Sequence, residues 1–516
     1  MFNRIKNVFT NVIGTSGLTL ATETTLGNNI PSVNLEVKQA YSRPEFLHLS
    51  HDEVAASSDH EARLIVTPKD NKSLCWNSGY AEVINAGKSK VNEDQAASGT
   101  YELKHDNPAD PRDYIFASPF RNKPKELTDF TSAHVADEFM PFTYFGIFDG
   151  HAGTGAALMA AHTLHHHIEE RLSAVKLLLL AKHAGLDDHV EQNEMMKFAL
   201  PQKEVTVDSL VIGALEAAFN AMDAQILRER TTFRITGGCT ALVAVFILGK
   251  LYVANAGDSR AVICRASSNQ VVEMSHDHTP GTERQRLQNI VGEYAMLQPD
   301  LLHDEFTHLE FMRRLNKRDL GKKMLHRDAH MSGWAFKTVT EDDLKFPLIH
   351  GEGKRTRVLA TIGVTRGFGD HSLTVHDSDI YIKPFLSPMP EVMVFDLMNE
   401  DVTQDDVLVM GCDGLWDVTT HEECMQVVQY SFKQCSNTEN KYMLTAQNLV
   451  MNARGLYRGK GWRINPDQER PASGDDISVF VIPIHAHKIE HSQRQKATAS
   501  LATYFEAVDA EKASGS

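Results

Sequence analysis

The fold is decided by one short stretch, Thr143-Tyr144-Phe145-Gly146-Ile147-Phe148-Asp149-Gly150-His151. It begins as an aromatic and aliphatic run, which favours a buried strand, and it ends abruptly in a carboxylate, a glycine and an imidazole. An Asp at the end of a core strand is a rigid anionic ligand, a Gly lets a backbone carbonyl approach what that ligand binds, and a His can transfer a proton. The stretch therefore predicts a metal site at a strand end.

Composition narrows the class of protein. The 516 residues are 42% hydrophobic and 23% charged, which is ordinary for a soluble globular protein. The net charge of -16 argues against binding to a phosphate backbone, so we expect no nucleic-acid partner. The six cysteines contain no C-x-x-C pair, so the sequence predicts neither a zinc knuckle nor a disulfide framework. We expect a cytoplasmic protein, either free or at a membrane surface, and the sequence leaves a nuclear location open.

The N-terminal region divides into two predicted segments. Residues 1–14 show apolar side chains at three- and four-residue steps with Arg4 and Lys6 on the other side, which predicts a basic amphipathic helix. Such a helix docks either on the protein's own surface or in a membrane interface, and both readings stay open. Residues 15–70 are rich in Ser, Thr, Asn and Pro, which indicates a linker or irregular extension. We expect a compact domain over 71–486 and a mobile tail over 487–516.

Carboxylates follow several other predicted strands. A second apolar strand ends in Asp413-Gly414, and further strand ends carry Glu93 and Asp94, and Asp475 or Asp476. Each acid alone would more often be a turn or cap residue. With Asp149 they form an all-oxygen ligand set, which selects Mg²⁺ or Mn²⁺ and not zinc.

This ligand set points to hydrolysis of a phosphoester. A paired metal site would hold a bridging water whose lowered pKa yields a hydroxide nucleophile at neutral pH. The cations would also neutralise phosphate oxygens that bare carboxylates would repel. His151 is the candidate general acid for the leaving oxygen.

The ordered motifs resemble those of metal-dependent PPM-type (protein phosphatase 2C) serine/threonine phosphatases. The resemblance extends from about Tyr80 to Ile482 and rests on Asn92-Glu93-Asp94, Phe148-Asp149-Gly150-His151, Gly257-Asp258-Ser259-Arg260, Asp413-Gly414-Leu415-Trp416-Asp417 and Gly474-Asp475-Asp476. It implies an α+β fold, a four-layer α/β/β/α sandwich with two central antiparallel sheets, and a phosphorylated protein as substrate.

The same resemblance assigns roles to the site residues. Asp149 would bridge two Mg²⁺ or Mn²⁺ ions and Gly150 would offer its carbonyl. The acids that would complete the shells, directly or through water, are Glu93, Asp413 and Asp475. Asp258 and Asp417 match positions that can hold a further, weaker ion in the family.

Two departures from the family pattern concern phosphate binding. The family commonly has an Arg four residues before the first Glu, and here that position is Ser89. We take Lys88 as the phosphate-binding substitute, although a Lys offers a point charge and not a fork of donors. The acid pair Asp475-Asp476 stands where the family usually has Asp-Asn, which adds negative charge beside the site.

A long insertion over about 281–355 is predicted as a mostly helical flap that covers the site. With Asn85-Ala86-Gly87-Lys88 and His330-Met331-Ser332-Gly333-Trp334 it resembles the H/J/M branch of the family, which includes enzymes acting on phosphorylated Rab GTPases. A small GTPase is therefore the expected substrate. The rival hypothesis is a catalytically weak or dead phosphatase-like scaffold, and the acidic charge disfavours a nuclease.

Overall fold

The computed structural model describes residues 41–103, 140–183, 205–295, 302–306, 309–313, 315–328, 331–344, 346–351, 353–375, 379–435, 440–459, 461–464 and 470–497. The predicted amphipathic helix over 1–14, residues 15–40 of the predicted linker and residues 498–516 of the predicted tail lie outside these ranges.

The described secondary structure consists of runs of strands separated by groups of helices. The strands are β1 (Gly79–Val83), β2 (Gln95–Glu102), β3 (Pro141–Phe148), β4 (Gly150–His151), β5 (Gly238–Cys239), β6 (Ala241–Ile247), β7 (Lys250–Ala256), β8 (Arg260–Arg265), β9 (Gln270–Glu273), β10 (Leu302–Phe306), β11 (Leu309–Phe311), β12 (Lys323–Asp328), β13 (Ala335–Thr338), β14 (Phe346–His350), β15 (Arg357–Val358), β16 (Phe368–Gly369), β17 (Glu391–Asp396), β18 (Asp406–Gly411), β19 (Leu456–Tyr457), β20 (Trp462–Arg463) and β21 (Ile477–Pro483). The α-helices are α1 (His51–Ser57), α2 (Gly155–Ala174), α3 (Lys176–His183), α4 (Val207–Glu229), α5 (Arg284–Ala295), α6 (Asp413–Trp416), α7 (His421–Gln434), α8 (Lys441–Arg454) and α9 (485–497).

Two antiparallel five-stranded sheets form the centre of the part that the structure describes. Sheet 1 has the strand order β1-β21-β18-β8-β9, and sheet 2 has the order β17-β7-β6-β3-β2. The opening stretch is β3, which lies between β2 and β6, with Phe148 opposite Gln95 and Ile147 opposite Leu242. Mixed helices and antiparallel sheets confirm the predicted α+β class.

Residues of β3 belong alternately to two apolar clusters, as the two-residue period of a strand requires. Tyr144 and Phe148 pack in a cluster with residues of α2 and α4. Phe145 and Ile147 pack in a second cluster with residues of sheet 1, including Phe480. A third cluster joins the other face of sheet 1 to α7 and α8. All eight residues of β3 are buried because both faces of this strand are covered.

Helix α4 has the length and the apolar composition to cross a membrane. It packs instead against α2, and its residues Leu215, Phe219 and Met222 are fully buried in the cluster that covers sheet 2. The apolar composition of α4 thus reflects its position in the core.

The prediction of a mostly helical flap was wrong. Within 281–355 the described residues contain one α-helix, α5, whereas β10 to β14 provide most of the regular structure. These strands form two small sheets, β10-β14-β15 and β11-β12-β13. The run from Leu309 to Leu315 has apolar residues at helical spacing, but its first part pairs with β12, because tertiary pairing overrides a weak local preference.

Two boundary predictions also need correction. Residues 41–70 are not a loose linker, since Phe46 and Leu47 are buried in the cluster between the sheets and α1 carries a capping box at Ser50. The predicted mobile tail begins as α9, in which His487 and His491 are buried. Polar composition misled both predictions, because the burial of a few side chains is sufficient to anchor a polar segment.

Candidate active site

Three aspartates from different strand ends converge beside β3. Asp149 follows β3, Asp258 lies in the turn between β7 and β8, and Asp413 begins α6 after β18. Each offers a carboxylate oxygen, and these oxygens lie within 4.8 Å of one another. The main chain at Asp149 is fixed by the Thr240 N–H, which donates to its carbonyl at 2.9 Å. The two sheets therefore bring together three of the predicted acids.

A second group shares Asp149 and extends deeper into the protein. Ligand atoms of Asp94, Asp149 and Cys412 also lie within 4.8 Å of one another. Asp94 is buried, and its Oδ2 has no hydrogen-bond partner among the described residues. The Cys412 thiol donates to the carbonyl of Asp476 at 3.4 Å and accepts from the Ser478 N–H at 3.2 Å. Cys412 is not among the site residues predicted from the sequence.

The donor set of the site is oxygen in character. Burial raises the pKa of the Cys412 thiol well above its ordinary value, the neighbouring aspartates raise it further, and the sulfur is hydrogen-bonded to the backbone at Asp476 and Ser478. Carboxylates without a competing thiolate suit hard divalent ions. The residues present therefore fit the predicted Mg²⁺ or Mn²⁺.

In their ionised form, the carboxylates of the site destabilise one another. Burial raises the pKa of Asp149, Asp258 and Asp94 well above the ordinary range, and repulsion from neighbouring carboxylates adds to this. The same two causes raise the pKa of Asp413 to about 7. A divalent cation between these groups would relieve the repulsion, because opposite charge favours the ionised form.

Gly150 brings the β3–β4 corner against the loop that carries Glu93. A Cβ atom at Gly150 would lie 2.4 Å from the carbonyl oxygen of Glu93, a separation that no side chain tolerates. The Glu93 carboxylate accepts a hydrogen bond from the Gly153 N–H at 2.8 Å. The backbone of Glu93 therefore lies against Gly150, and its Oε1 is bound to the backbone of the next turn.

Lys88 and Asp475 form an ion pair at the mouth of the site. The Lys88 side chain is 65% exposed, so its ammonium is accessible to a substrate. Burial lowers the pKa of Lys88, but contact with Asp475 outweighs this and the pKa is raised. Ser89, at the position of the family Arg, donates to the Val91 carbonyl at 2.6 Å and is bound within its own loop.

Asp476 joins two loops and is buried. It accepts hydrogen bonds from the backbone N–H groups of Asn85 at 2.7 Å and Glu93 at 2.9 Å. Burial raises its pKa to about 6. Of the acid pair at the last predicted site, Asp475 is thus the accessible member and Asp476 is bound to the backbone.

Asp417 lies at the outer edge of the cluster. Its side chain is half-exposed, and its Oδ1 is 2.7 Å from the Nζ of Lys354, a residue at the end of the flap. It is not among the three carboxylates that converge on Asp149, but its charge contributes to the raised pKa of both Asp258 and Asp413. Its role as a ligand of a weaker ion stays a prediction, as do the ligand roles of Glu93 and Asp475.

His151 is paired with an acid that the sequence analysis did not select. Its Nε2 lies 2.6 Å from Oδ2 of Asp370, which is buried, whereas the His151 side chain is 35% exposed. The Asp370 loop is held by Asp223, whose carboxylate accepts from the Gly369 N–H at 2.9 Å and pairs with Lys383. The only sequence signal for this pair is an acid directly after the run Gly367-Phe368-Gly369.

Carboxylates that converge from the ends of antiparallel strands are suited to a metal-dependent hydrolase, and comparison with known proteins shows which family of hydrolases this is. The chain belongs to the protein phosphatase 2C family, whose model matches residues 126–295 and 349–455.

Close relatives identify the branch of the family. Protein phosphatase 1H of Homo sapiens is 45% identical over 95% of this chain and 100% of its own length. The Danio rerio protein of that name is 46% identical over 94% of this chain and 98% of its own length. Protein phosphatase 1J of Mus musculus is 44% identical over 89% of both chains. The predicted family is thus confirmed, and the chain is a protein phosphatase 2C-type serine/threonine phosphatase.

Proposed function

We propose that this chain hydrolyses phosphoserine and phosphothreonine in proteins by using two Mg²⁺ or Mn²⁺ ions, with a weaker third, in a four-layer α/β/β/α sandwich. The observation that carries the proposal is the convergence of Asp149, Asp258 and Asp413, whose ligand oxygens lie within 4.8 Å of one another. When bound, the cations would neutralise phosphate charge and lower the pKa of the attacking water. Asp94 would serve as a further ligand through its Oδ2, which has no hydrogen-bond partner among the described residues.

In this proposal His151 donates the proton that the leaving serine or threonine oxygen needs. Asp370 accepts from Nε2 of the protonated ring, so Nδ1 is the nitrogen available for transfer. The buried carboxylate also fixes the orientation of the ring. Lys88 would turn from Asp475 to the substrate phosphate, to which it offers a point charge.

Hydrolysis of a phosphoserine peptide with added Mn²⁺ tests the proposal. We expect metal-dependent turnover by the parent protein and its abolition in Asp149→Ala, because that variant loses the carboxylate shared by both ligand groups. Tyr430→Ser is the surface control, since it removes a 60% exposed side chain from α7 that belongs to neither ligand group. Absence of turnover in the parent, with folding intact, would favour the rival hypothesis of a catalytically weak or dead scaffold.

We further propose a phosphorylated small GTPase of the Rab type as substrate, encountered in the cytoplasm at a membrane surface. The support is the resemblance to the H/J/M branch together with an exposed apolar surface on the flap. Phe336 on β13 and Met312 after β11 are 70% and 67% exposed, and Trp334 lies beside the Arg327 guanidinium. Such a patch is suited to contact with a protein.

The membrane part of this proposal rests on residues 1–14. Deletion of this segment should reduce binding of the full chain to highly curved liposomes, because the apolar face of the helix supplies the affinity. Unchanged liposome binding after the deletion would exclude the anchor and favour docking of the helix on the protein itself.

A further inference from the structure

Segment 41–70, which the sequence presents as a linker, places two buried arginines on the loops of the candidate metal site. Arg43 is 4% exposed and Arg63 is 0% exposed. Buried arginines are uncommon unless each donor is bound, so their partners show what the side chains hold.

Arg43 binds the loop that carries Glu93 and Asp94. Its Nε and Nη2 donate to the two carboxylate oxygens of Glu82, each at 2.7 Å. Its Nη1 donates to the carbonyls of Asn92 at 3.1 Å and Asp94 at 2.7 Å. The Arg43 guanidinium thus binds the backbone on both sides of Glu93, and the Glu82 carboxylate balances its charge.

Arg63 binds the loop that carries Asp475. Its Nη1 donates to the carbonyl of Ser473 and its Nη2 to the carbonyl of Asp475, both at 2.8 Å. Its Nε donates to the carbonyl of Ile84 at the end of β1, at 2.6 Å. The second loop is therefore tied to the strand that leads into the first.

The two arginines supply contacts that the sheets do not give to these loops. Neither 92–94 nor 473–475 belongs to a strand, so no sheet ladder holds these backbone carbonyls. Charge-assisted hydrogen bonds from the rigid guanidinium groups of Arg43 and Arg63 fix both loops relative to sheet 1. Residues that orient ligands from outside the coordination shell commonly change metal affinity when they are altered.

We propose that Arg43 and Arg63 are positioning residues that hold loops 92–94 and 473–475 in the arrangement that binds the divalent cations. Segment 41–70 is then part of the active-site scaffold. This inference rests on the proposed function, because it takes Glu93, Asp94 and Asp475 as metal ligands. The inference also concerns loop geometry, which can be measured without metal.

The test compares Arg43→Lys and Arg63→Lys with Arg265→Lys in the full chain. Each change keeps the positive charge but replaces the planar guanidinium, with its several fixed donors, by a single ammonium group. Arg265 is the matched control, since it pairs with Glu400 and donates to the Asp401 carbonyl at the end of β8 remote from Asp258. Mn²⁺ affinity is measured by calorimetry, and amide hydrogen exchange is measured in chelator.

We expect Arg63→Lys to weaken Mn²⁺ binding by about 10-fold or more and to accelerate exchange in 473–476. Arg43→Lys should likewise weaken Mn²⁺ binding, and it should accelerate amide exchange in residues 92–94. Arg265→Lys should lower thermal stability without changing Mn²⁺ affinity.

Parent-like Mn²⁺ affinity in both Arg43→Lys and Arg63→Lys would overturn the inference, as would an equal loss in Arg265→Lys. If one variant does not fold, the other decides the question. If the parent itself binds no Mn²⁺, the proposed function fails, and unchanged loop exchange in the variants would separately refute the positioning role.

Discussion

At the scale of single residues, the site is governed by partly buried carboxylates that lie close together. Asp149 belongs to both ligand groups, and its carboxylate lies close enough to those of Asp258 and Asp413 for one ion to contact all three. Buried anions of like sign are unfavourable unless protons or cations balance them. Protons would therefore compete with divalent cations for the same carboxylate oxygens. The free energy of unfolding of the metal-free protein should consequently depend on pH.

Asp413 gives a prediction for pH. Its pKa rises from an ordinary value of 3.8 to about 7 in the folded protein, so between these values the folded state binds more protons than the unfolded chain. In chelator, this group should therefore lower the free energy of unfolding as pH rises through that window. Denaturant titrations at about pH 5 and about pH 8 should show this fall in the parent and a smaller fall in Asp413→Asn. An identical fall in the variant would show that Asp413 is not the responsible group.

The His151–Asp370 pair gives a second prediction. His151→Ala should slow hydrolysis of a phosphoserine peptide by about 100-fold but affect an activated aryl phosphate much less, because an aryl leaving group needs little protonation. Asp370→Asn should show the same pattern more weakly and leave Mn²⁺ affinity unchanged. Steady-state rates on both substrates measure the effect.

A different pattern would argue against proton donation. If His151→Ala and Asp370→Asn slowed both esters equally and also weakened Mn²⁺ binding, the pair would serve the structure of the site and not the leaving group.

At the scale of elements, the site is built where strands end. The burial of β3 and the Asp-Gly ends of β3 and β18 could be predicted from the sequence, because an apolar run followed by a polar corner is a local pattern. The sequence does not predict the pairing of His151 with Asp370 or the contacts of Arg63. Their partners are 219 and up to 412 residues away along the chain, and only the assembled sheets bring them together.

Glycine at the start of α6 gives a prediction at this scale. A Cβ atom at Gly414 would lie 1.9 Å from the carbonyl oxygen of Asp476, so Gly414→Ala must displace the loop that carries Asp475. We expect a loss of about 1–3 kcal/mol in the free energy of unfolding, together with weaker Mn²⁺ binding. Chemical denaturation and calorimetry measure the two effects.

Gly474 provides the matched control for this change. A Cβ atom there meets nothing within 4 Å, and the residue lies in the same loop. Gly474→Ala should leave stability within about 1 kcal/mol of the parent and keep Mn²⁺ affinity. If the two alanine variants behaved alike, close packing of α6 on the loop would not be what holds Asp475.

At the scale of the whole molecule, the flap has an apolar cluster of its own, distinct from the clusters that cover the two central sheets. The cluster that anchors the flap joins α5 and β14 to residues after the insertion, and it contains no residue of β11, β12 or β13. The outer sheet β11-β12-β13 is thus available to contact a partner without altering the site. The family could be predicted from ordered motifs, whereas the strand structure of the flap could not, because it depends on pairing within a polar segment.

The flap surface gives a prediction about substrate choice. Phe336→Ser should reduce kcat/KM for a phosphorylated Rab GTPase by about 10-fold, since a large exposed aromatic residue is a typical anchor in an interface. Hydrolysis of an aryl phosphate should not change. Tyr430→Ser, which removes a 60% exposed aromatic residue from α7, is the control and should affect neither substrate. Equal activity of Phe336→Ser and the parent on the GTPase would exclude this surface as a docking site.

We propose above that the acids around Asp149 hold the divalent cations of a phosphatase. The most direct measurement is an anomalous difference map from crystals of the protein grown with Mn²⁺. We predict two strong peaks within coordination distance of Asp149, one of them also bound by Asp413, and the loss of both peaks in Asp149→Ala. Peaks only at other positions, or peaks that persist unchanged in Asp149→Ala, would contradict the account.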